Sequence, residues 1–405
     1  MLLLALGLVM AGPWTPWAPR PELAPKTAER AGTLEISAGP SSIANGGWER
    51  TVSGIKAGEW YRLDAAYQTE HVDNEHLRVT ARLDWLDAAG KRTGQPDYAW
   101  QIQPDGAWKR VSAVVPAPAG AAAAKIQLYL SNAPGGRVVW KDVKLESASD
   151  PGPRSVRVAS VNLRPRNLGT REASVAAFAA AIEKKLAAPV DVILLPEGIT
   201  VVGTSLHYAD VAETVPGPTT ATLGSIAAKH HAWIAAGLYE RQGEAIYNTA
   251  VLIDREGRLA GKYRKVYLPR EEIEGGITAG SSYPVFRTDF GTVGLMICWD
   301  SNYTDPARGL ALHGAELLLV PIWGGNETLM SARAIENKVF IATSGYDFPT
   351  RIIDPDGKTI SEAKALGDAA VATIDLNRRY LDPWLGDMKQ RLRKEVRLDV
   401  PAAFE

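Results

Sequence analysis

A single cysteine in 405 residues excludes an internal disulfide. Six histidines with no paired Cys/His spacing leave the chain without a metal signature, and His230-His231 does not change this because adjacent helix residues point apart. A formal charge of -1 and the lack of any basic run remove the electrostatic case for a nucleic-acid partner. Long apolar runs are missing too. Leu2 to Ala11 extends for about ten residues, against the roughly 20 that span a bilayer. It fits the apolar segment of a secretory signal, although the usual basic residues before it are absent. The expectation is a cleaved or anchoring export signal, with the protein secreted, periplasmic or membrane-anchored outside the cytoplasm. No cysteine follows this run, which excludes a lipid-modified N-terminal cysteine. Pro13 to Pro25, rich in Pro, Trp and Ala, reads as an extended tether, so residues 1–32 are set outside any core.

Apolar content of 46% and charged content of 22% are ordinary, and the length suits about two domains. Residues 33–149 read as all-β. Trp60 to Tyr67, Leu77 to Trp85, Lys125 to Leu130 and Val138 to Leu145 alternate apolar with polar. Turn signals such as Asn45-Gly46-Gly47, Ala89-Gly90, Pro104-Asp105-Gly106 and Pro134-Gly135-Gly136 separate them. Short strands at this spacing predict a β-sandwich, and their order resembles jelly-roll modules that often bind carbohydrate. Six of the twelve tryptophans lie here. Exposed Trp faces stack on sugars, which makes a glycan a conceivable ligand, but large aromatics in a small sandwich more often pack the core. Asp150-Pro151-Gly152-Pro153 marks a boundary.

From 154 to 405 strands alternate with helices, the pattern of an α/β domain. Val156 to Leu163 is a first strand, and Arg171 to Leu186 is helical with Val175, Phe178, Ala179 and Ile182 on one face. Asp191 to Glu197 is a nearly continuous apolar strand ending in a carboxylate, at the edge where such domains build sites. Thr219 to His231 is a helix, Trp233 to Leu238 a strand. Asn248 to Asp254 and Leu259 to Pro269 form a hairpin that carries Lys265 among inward-looking residues. A lone lysine there is usually solvated.

The only cysteine lies in Gly294-Leu295-Met296-Ile297-Cys298-Trp299-Asp300, where a buried strand ends and a helix is about to begin, its regular pattern starting at Ala307. A helix N-terminus favours thiolate over thiol. Position alone, however, favours a buried structural cysteine, the usual fate of a lone free thiol.

Leu195-Pro196-Glu197, Tyr263-Arg264-Lys265 and Ile297-Cys298-Trp299-Asp300 occur in this order, each after an apolar strand. With Val215-Pro216-Gly217-Pro218, Tyr247-Asn248-Thr249-Ala250, Arg333 to Asn337, Asp354-Pro355-Asp356-Gly357 and Pro383 to Asp387, they resemble the nitrilase, or carbon–nitrogen hydrolase, superfamily over about residues 156–395. The resemblance implies a four-layer αββα sandwich and a triad of Glu197 as general base, Lys265 as transition-state stabiliser and Cys298 as nucleophile. It also implies a second glutamate, for which Glu274 matches best and Glu272 is the fallback, and an oxyanion contact from the Trp299 N–H. Trp299 and Trp323 are expected pocket walls, with core packing as the alternative. Asn162 stands where relatives commonly carry Gln, and Asp305-Pro306 replaces the common Pro-Glu after the cysteine, although Arg308 remains. The expected reaction is hydrolysis of a small amide, with nitrile or N-carbamoyl substrates next, without metal or organic cofactor and in a homodimer or larger homo-oligomer. The alternative of another class is a glycan- or polymer-binding module on an inactive scaffold.

Overall fold

The computed structural model describes residues 10–185 and 188–400. All but Met10 and Ala11 of the expected export segment lie outside the described residues. Among the described residues no helix is long and apolar enough to cross a membrane. The chain forms two compact units, one running to Gly152 and taking in the tail from Arg379, the other spanning Pro153–Arg378.

The first unit holds two six-stranded sheets, antiparallel throughout, around one core. Period-two alternation is plain in Ala123–Ser131, where Ala124, Ile126, Leu128 and Leu130 enter that core. Of the six tryptophans, Trp48, Trp85 and Trp140 are core residues, whereas Trp60, Trp100 and Trp108 are only partly covered. Leu77 and Arg78, expected in a strand, form a helical turn before the strand Val79–Leu86.

The tail corrects a further expectation, since sequence reading runs the second domain to residue 405. Instead Arg379 pairs with Asp97 and Asp387, Gln390 Oε1 accepts from the Tyr98 N–H at 2.8 Å, and Lys394 Nζ donates to the Val79 carbonyl at 2.6 Å. Gln390 and Lys394, both buried, sit on the helix Met388–Glu395, and with Arg379 before it they satisfy groups of the first unit.

In the second unit the strands are β1 (Ser155–Val161), β2 (Val192–Leu194), β3 (Trp233–Gln242), β4 (Ala245–Ile253), β5 (Leu259–Arg264), β6 (Val285–Arg287), β7 (Thr292–Leu295), β8 (Leu317–Pro321), β9 (Phe340–Ser344), β10 (Arg351–Ile353), β11 (Thr359–Glu362) and β12 (Ala369–Asp375). One sheet has the order β5-β4-β3-β2-β1-β12 and the other β6-β7-β8-β9-β10-β11. The central strands β1-β2-β3 and β7-β8-β9 are parallel and their neighbours antiparallel. The sheets meet through β1, β2 and β3 against β8 and β9. Helices α1 (Arg171–Lys185) and α3 (Pro218–His230) cover the first sheet with Phe178, Ile182, Leu223 and Ala227. Short turns form α2 (Tyr208–Val211) and α4 (Arg270–Glu274), while α5 (Thr304–Leu312) and α6 (Glu327–Asn337) pack together beside β7. The layers run helix, sheet, sheet, helix. A strand covered on both faces needs no polar alternation, which is why β2, β8 and β9 are buried at every position.

Candidate active site

Three strand ends supply the site. After β2 the chain turns through Leu195-Pro196 to Glu197, which is only 2% exposed. The strand stops at Leu194, earlier than its apolar run suggests, and the ladder then continues through isolated bonds: the Leu195 N–H to the Ala235 carbonyl at 2.8 Å and the Gly237 N–H to the Pro196 carbonyl at 3.0 Å. Gly237 permits this approach, since a Cβ there would lie 2.7 Å from the Glu197 Cα.

Lys265 follows β5, and its N–H donates to the Asn248 carbonyl of β4 at 2.9 Å. Side chains alternate across this strand. Arg264 turns to Glu240, whereas Tyr263 and Lys265 turn the other way, to Asp300 and Glu197. Lys265 is 1% exposed rather than solvated. Its Nζ donates to Glu197 Oε1 at 2.9 Å and forms an ion pair with Glu272 Oε2, also at 2.9 Å.

The glutamate that faces this lysine is therefore Glu272, the fallback expectation, 4% exposed on α4. Glu274, the preferred expectation, carries a side chain 62% exposed and pairs with Arg270 at the surface. The reason is angular. Two residues apart on a helical turn, side chains point about 200° from each other, so only one of the pair can face the buried lysine.

Cys298 opens a 3-10 turn, Cys298–Asn302, that leads into α5, so helical structure begins at the cysteine and well before Ala307. Its backbone has φ of 41°, a left-handed conformation unusual away from glycine and often found where function holds a side chain in place. The buried Sγ–H donates to the Gly324 carbonyl at 3.3 Å. Asp300, fully buried, locks this turn to the lysine strand. It accepts from the Tyr263 hydroxyl at 2.7 Å, the Tyr267 N–H at 2.9 Å and the Ile297 N–H at 2.9 Å.

The electrostatics overturn one expectation. Burial, then the Glu197 charge, push the Cys298 thiol up to about 12, against the opposing influence of Lys265. That rise costs the thiolate roughly 4 kcal/mol, while a helix N-terminus returns only about 0.3–1 kcal/mol. Burial also works against the Lys265 ammonium. Glu197, Cys298 and Glu272 outweigh it and hold the lysine above its ordinary pKa. Glu272 is raised, by burial first and by Glu197, with Lys265 opposing. Burial alone raises Asp300 to about 6 against its three hydrogen-bond donors.

Asn248, quoted above only as part of a motif, is fully buried and donates Nδ2 to Glu197 Oε1 at 2.7 Å and to Glu272 Oε1. Tyr346 donates its hydroxyl to the Glu197 carbonyl at 2.8 Å. Trp323 is half-buried edge-on against Tyr346, with ring centroids 4.8 Å apart, and adjoins Gly324, the partner of the thiol. Trp299 is 38% exposed. Asn248 and Asp300 could have been suspected, because each belongs to a recognised motif, Tyr247-Asn248-Thr249-Ala250 and Ile297-Cys298-Trp299-Asp300.

The carbon-nitrogen hydrolase family model matches residues 157–383. A probable nitrilase of Schizosaccharomyces pombe is 34% identical over 210 residues, 46% of this chain and 76% of that protein. The omega-amidase NIT2 of Mus musculus is 27% identical over 244 residues, 52% of this chain and 84% of that protein. A carbon-nitrogen hydrolase from Helicobacter pylori G27 superimposes with a TM-score of 0.49 at 22% identity, over 56% of this chain and 90% of that one. The chain belongs to the carbon–nitrogen hydrolase family of the nitrilase superfamily.

Proposed function

We propose that the protein hydrolyses the C–N bond of a small non-peptide amide through a thioester on Cys298. The observation that carries this reading is the buried ammonium of Lys265 held between Glu197 and Glu272, beside a thiol that interacts with both Glu197 and Lys265. An amide carbonyl is a poor electrophile and a protonated thiol a poor nucleophile, so the proton must leave as sulfur attacks. Glu197 takes it. Its Oε2 is buried without a hydrogen-bond partner among the described residues, while Oε1 is committed to Lys265 and Asn248. The new S–C bond pushes the carbonyl electrons onto oxygen. The Lys265 ammonium and the Trp299 N–H, in the first turn after the cysteine, stabilise that oxyanion. Collapse breaks the C–N bond, and Glu197 returns the proton to the departing amine. Glu197 then draws a proton from water as the water attacks the thioester; acid is released and the thiol restored. Glu272 keeps Lys265 charged and in place. Nitrile and N-carbamoyl substrates follow the same opening attack.

A panel of amides, nitriles and carbamoyl compounds, read by ammonia release with mass spectrometry of the protein, tests the proposal. The expected result is turnover of an amide and an acyl adduct at Cys298, with Cys298→Ala and Cys298→Ser folded and inactive. Undiminished hydrolysis by purified Cys298→Ala would defeat the mechanism. An inert thiol across the panel would favour the binding-scaffold alternative.

A further inference from the structure

We propose that Asn248 is a positioning residue that yokes Glu197 and Glu272 in fixed register about the Lys265 ammonium. This inference rests on the hydrolase reading above. The two carboxylates are bridged twice. Lys265 Nζ lies 2.9 Å from Glu197 Oε1 and 2.9 Å from Glu272 Oε2. The Asn248 amide spends its two N–H bonds in the same way, one on Glu197 Oε1 at 2.7 Å and one on Glu272 Oε1. Like charges sharing a dry site repel, and a neutral amide supplies a donor to each without adding charge. Its orientation follows from the same chemistry, because turning the amide would aim the carbonyl Oδ1 at two carboxylates.

The consequence falls on Glu197. Among the described residues both its donors converge on Oε1, and Oε2 is left buried and without a hydrogen-bond partner. A carboxylate gripped through one oxygen keeps the other available for a proton, as a general base requires. An apolar residue of similar volume would fill the space and leave each carboxylate short of a donor. The backbone of Asn248 is tied to the same lysine, since its carbonyl accepts from the Lys265 N–H at 2.9 Å. The side chain thus has a fixed origin from which to reach both acids. The charged and titratable groups that bear on Glu272 are Lys265, Glu197, Tyr208 and Tyr239. Among its hydrogen bonds, that from Asn248 favours the ionised carboxylate.

Asn248→Ser and Asn248→Asp test the assignment in the full chain. The substrate is the simple amide that the wild type turns over fastest, and kcat and KM are measured from pH 5 to 9 beside thermal unfolding. In Asn248→Ser we expect kcat to fall about 10- to 100-fold with KM changed by less than about threefold, the usual scale for residues that orient the reacting groups. The acid limb of kcat/KM should move to higher pH, because Glu272 has lost a donor to its charged form. Asn248→Asp should lose more, having added a third carboxylate. A folded Asn248→Ser with wild-type kcat and an unmoved pH profile overturns the inference. So does activity that falls only in step with the folded fraction, or two variants that both fail to fold, since Asn248 is then a residue of the fold alone. A wild type that neither releases ammonia nor acylates Cys298 defeats the hydrolase reading and this inference together. An active wild type with an indifferent Asn248→Ser defeats this inference alone.

Discussion

Replacing Glu272 with glutamine removes one of the two negative charges facing the Lys265 ammonium while keeping the side chain's shape. At 2.9 Å the gross attraction is about 6 kcal/mol for an effective dielectric near 20. Breaking a buried pair costs about 3–5 kcal/mol, and the glutamine oxygen returns about 1 kcal/mol as a neutral hydrogen bond. Much of that cost is not felt by the fold, because burial and Glu197 already disfavour the Glu272 charge and the amide relieves both. On the proposed mechanism it is felt instead where Lys265 must stay charged and aimed at a developing oxyanion. Glu272→Gln should therefore lose about 3 kcal/mol of transition-state stabilisation, about two orders of magnitude in kcat/KM. Its unfolding free energy should stay within about 1 kcal/mol of wild type. Glu274→Gln is the control. Its pair with Arg270 is exposed, and its loss should change stability by at most about 0.5 kcal/mol and leave activity alone. Steady-state kinetics and urea unfolding of the two variants decide the matter. A Glu272→Gln enzyme within threefold of wild type, beside a crippled Glu274→Gln, would refute the reasoning.

Two further outcomes follow from the geometry. Asp300 has a folded-state pKa of about 6, above its ordinary 3.8, so the native state binds the extra proton between these values. Its contribution is present below pH 4 and lost as pH rises through 6, a fall of about 3 kcal/mol in all relative to Asp300→Asn, of which about 2 kcal/mol lies between pH 4.5 and 7.5 and is measurable by denaturant unfolding of both proteins at those values; an unchanging difference would disprove it. Gly237→Ala would press a methyl against the Glu197 backbone, costing about 1–3 kcal/mol and at least tenfold in kcat/KM. A variant with wild-type melting temperature and rate would show that this approach is not tight.

Much of the site is legible along the chain because each part ends an apolar strand. Strand ends at the edge of a two-faced sheet converge, so Glu197, Lys265 and Cys298 could be named from motifs alone. The lysine's burial follows from the same alternation, once Arg264 is seen to take the opposite face. The choice between Glu272 and Glu274 is different in kind. Both fit the spacing, and only the rotation of the short helix α4 aims one inward. The thiol's protonation shows the same limit. Position beside a helical turn argues for thiolate, but the sum of burial and nearby charge is a property of the assembled cavity.

The sequence by itself determined the two-part architecture, the alternation that buries strands on both faces and the candidate reacting groups of the proposal, because periodicity and residue chemistry are local. Tertiary structure alone decided which carboxylate stands second, that an asparagine joins the two acids, that Asp300 ties the cysteine turn to the lysine strand, and that the tail belongs with the first unit. Those are matters of direction and distance between residues 24 to 315 positions apart, and no pattern along the chain encodes an angle across it.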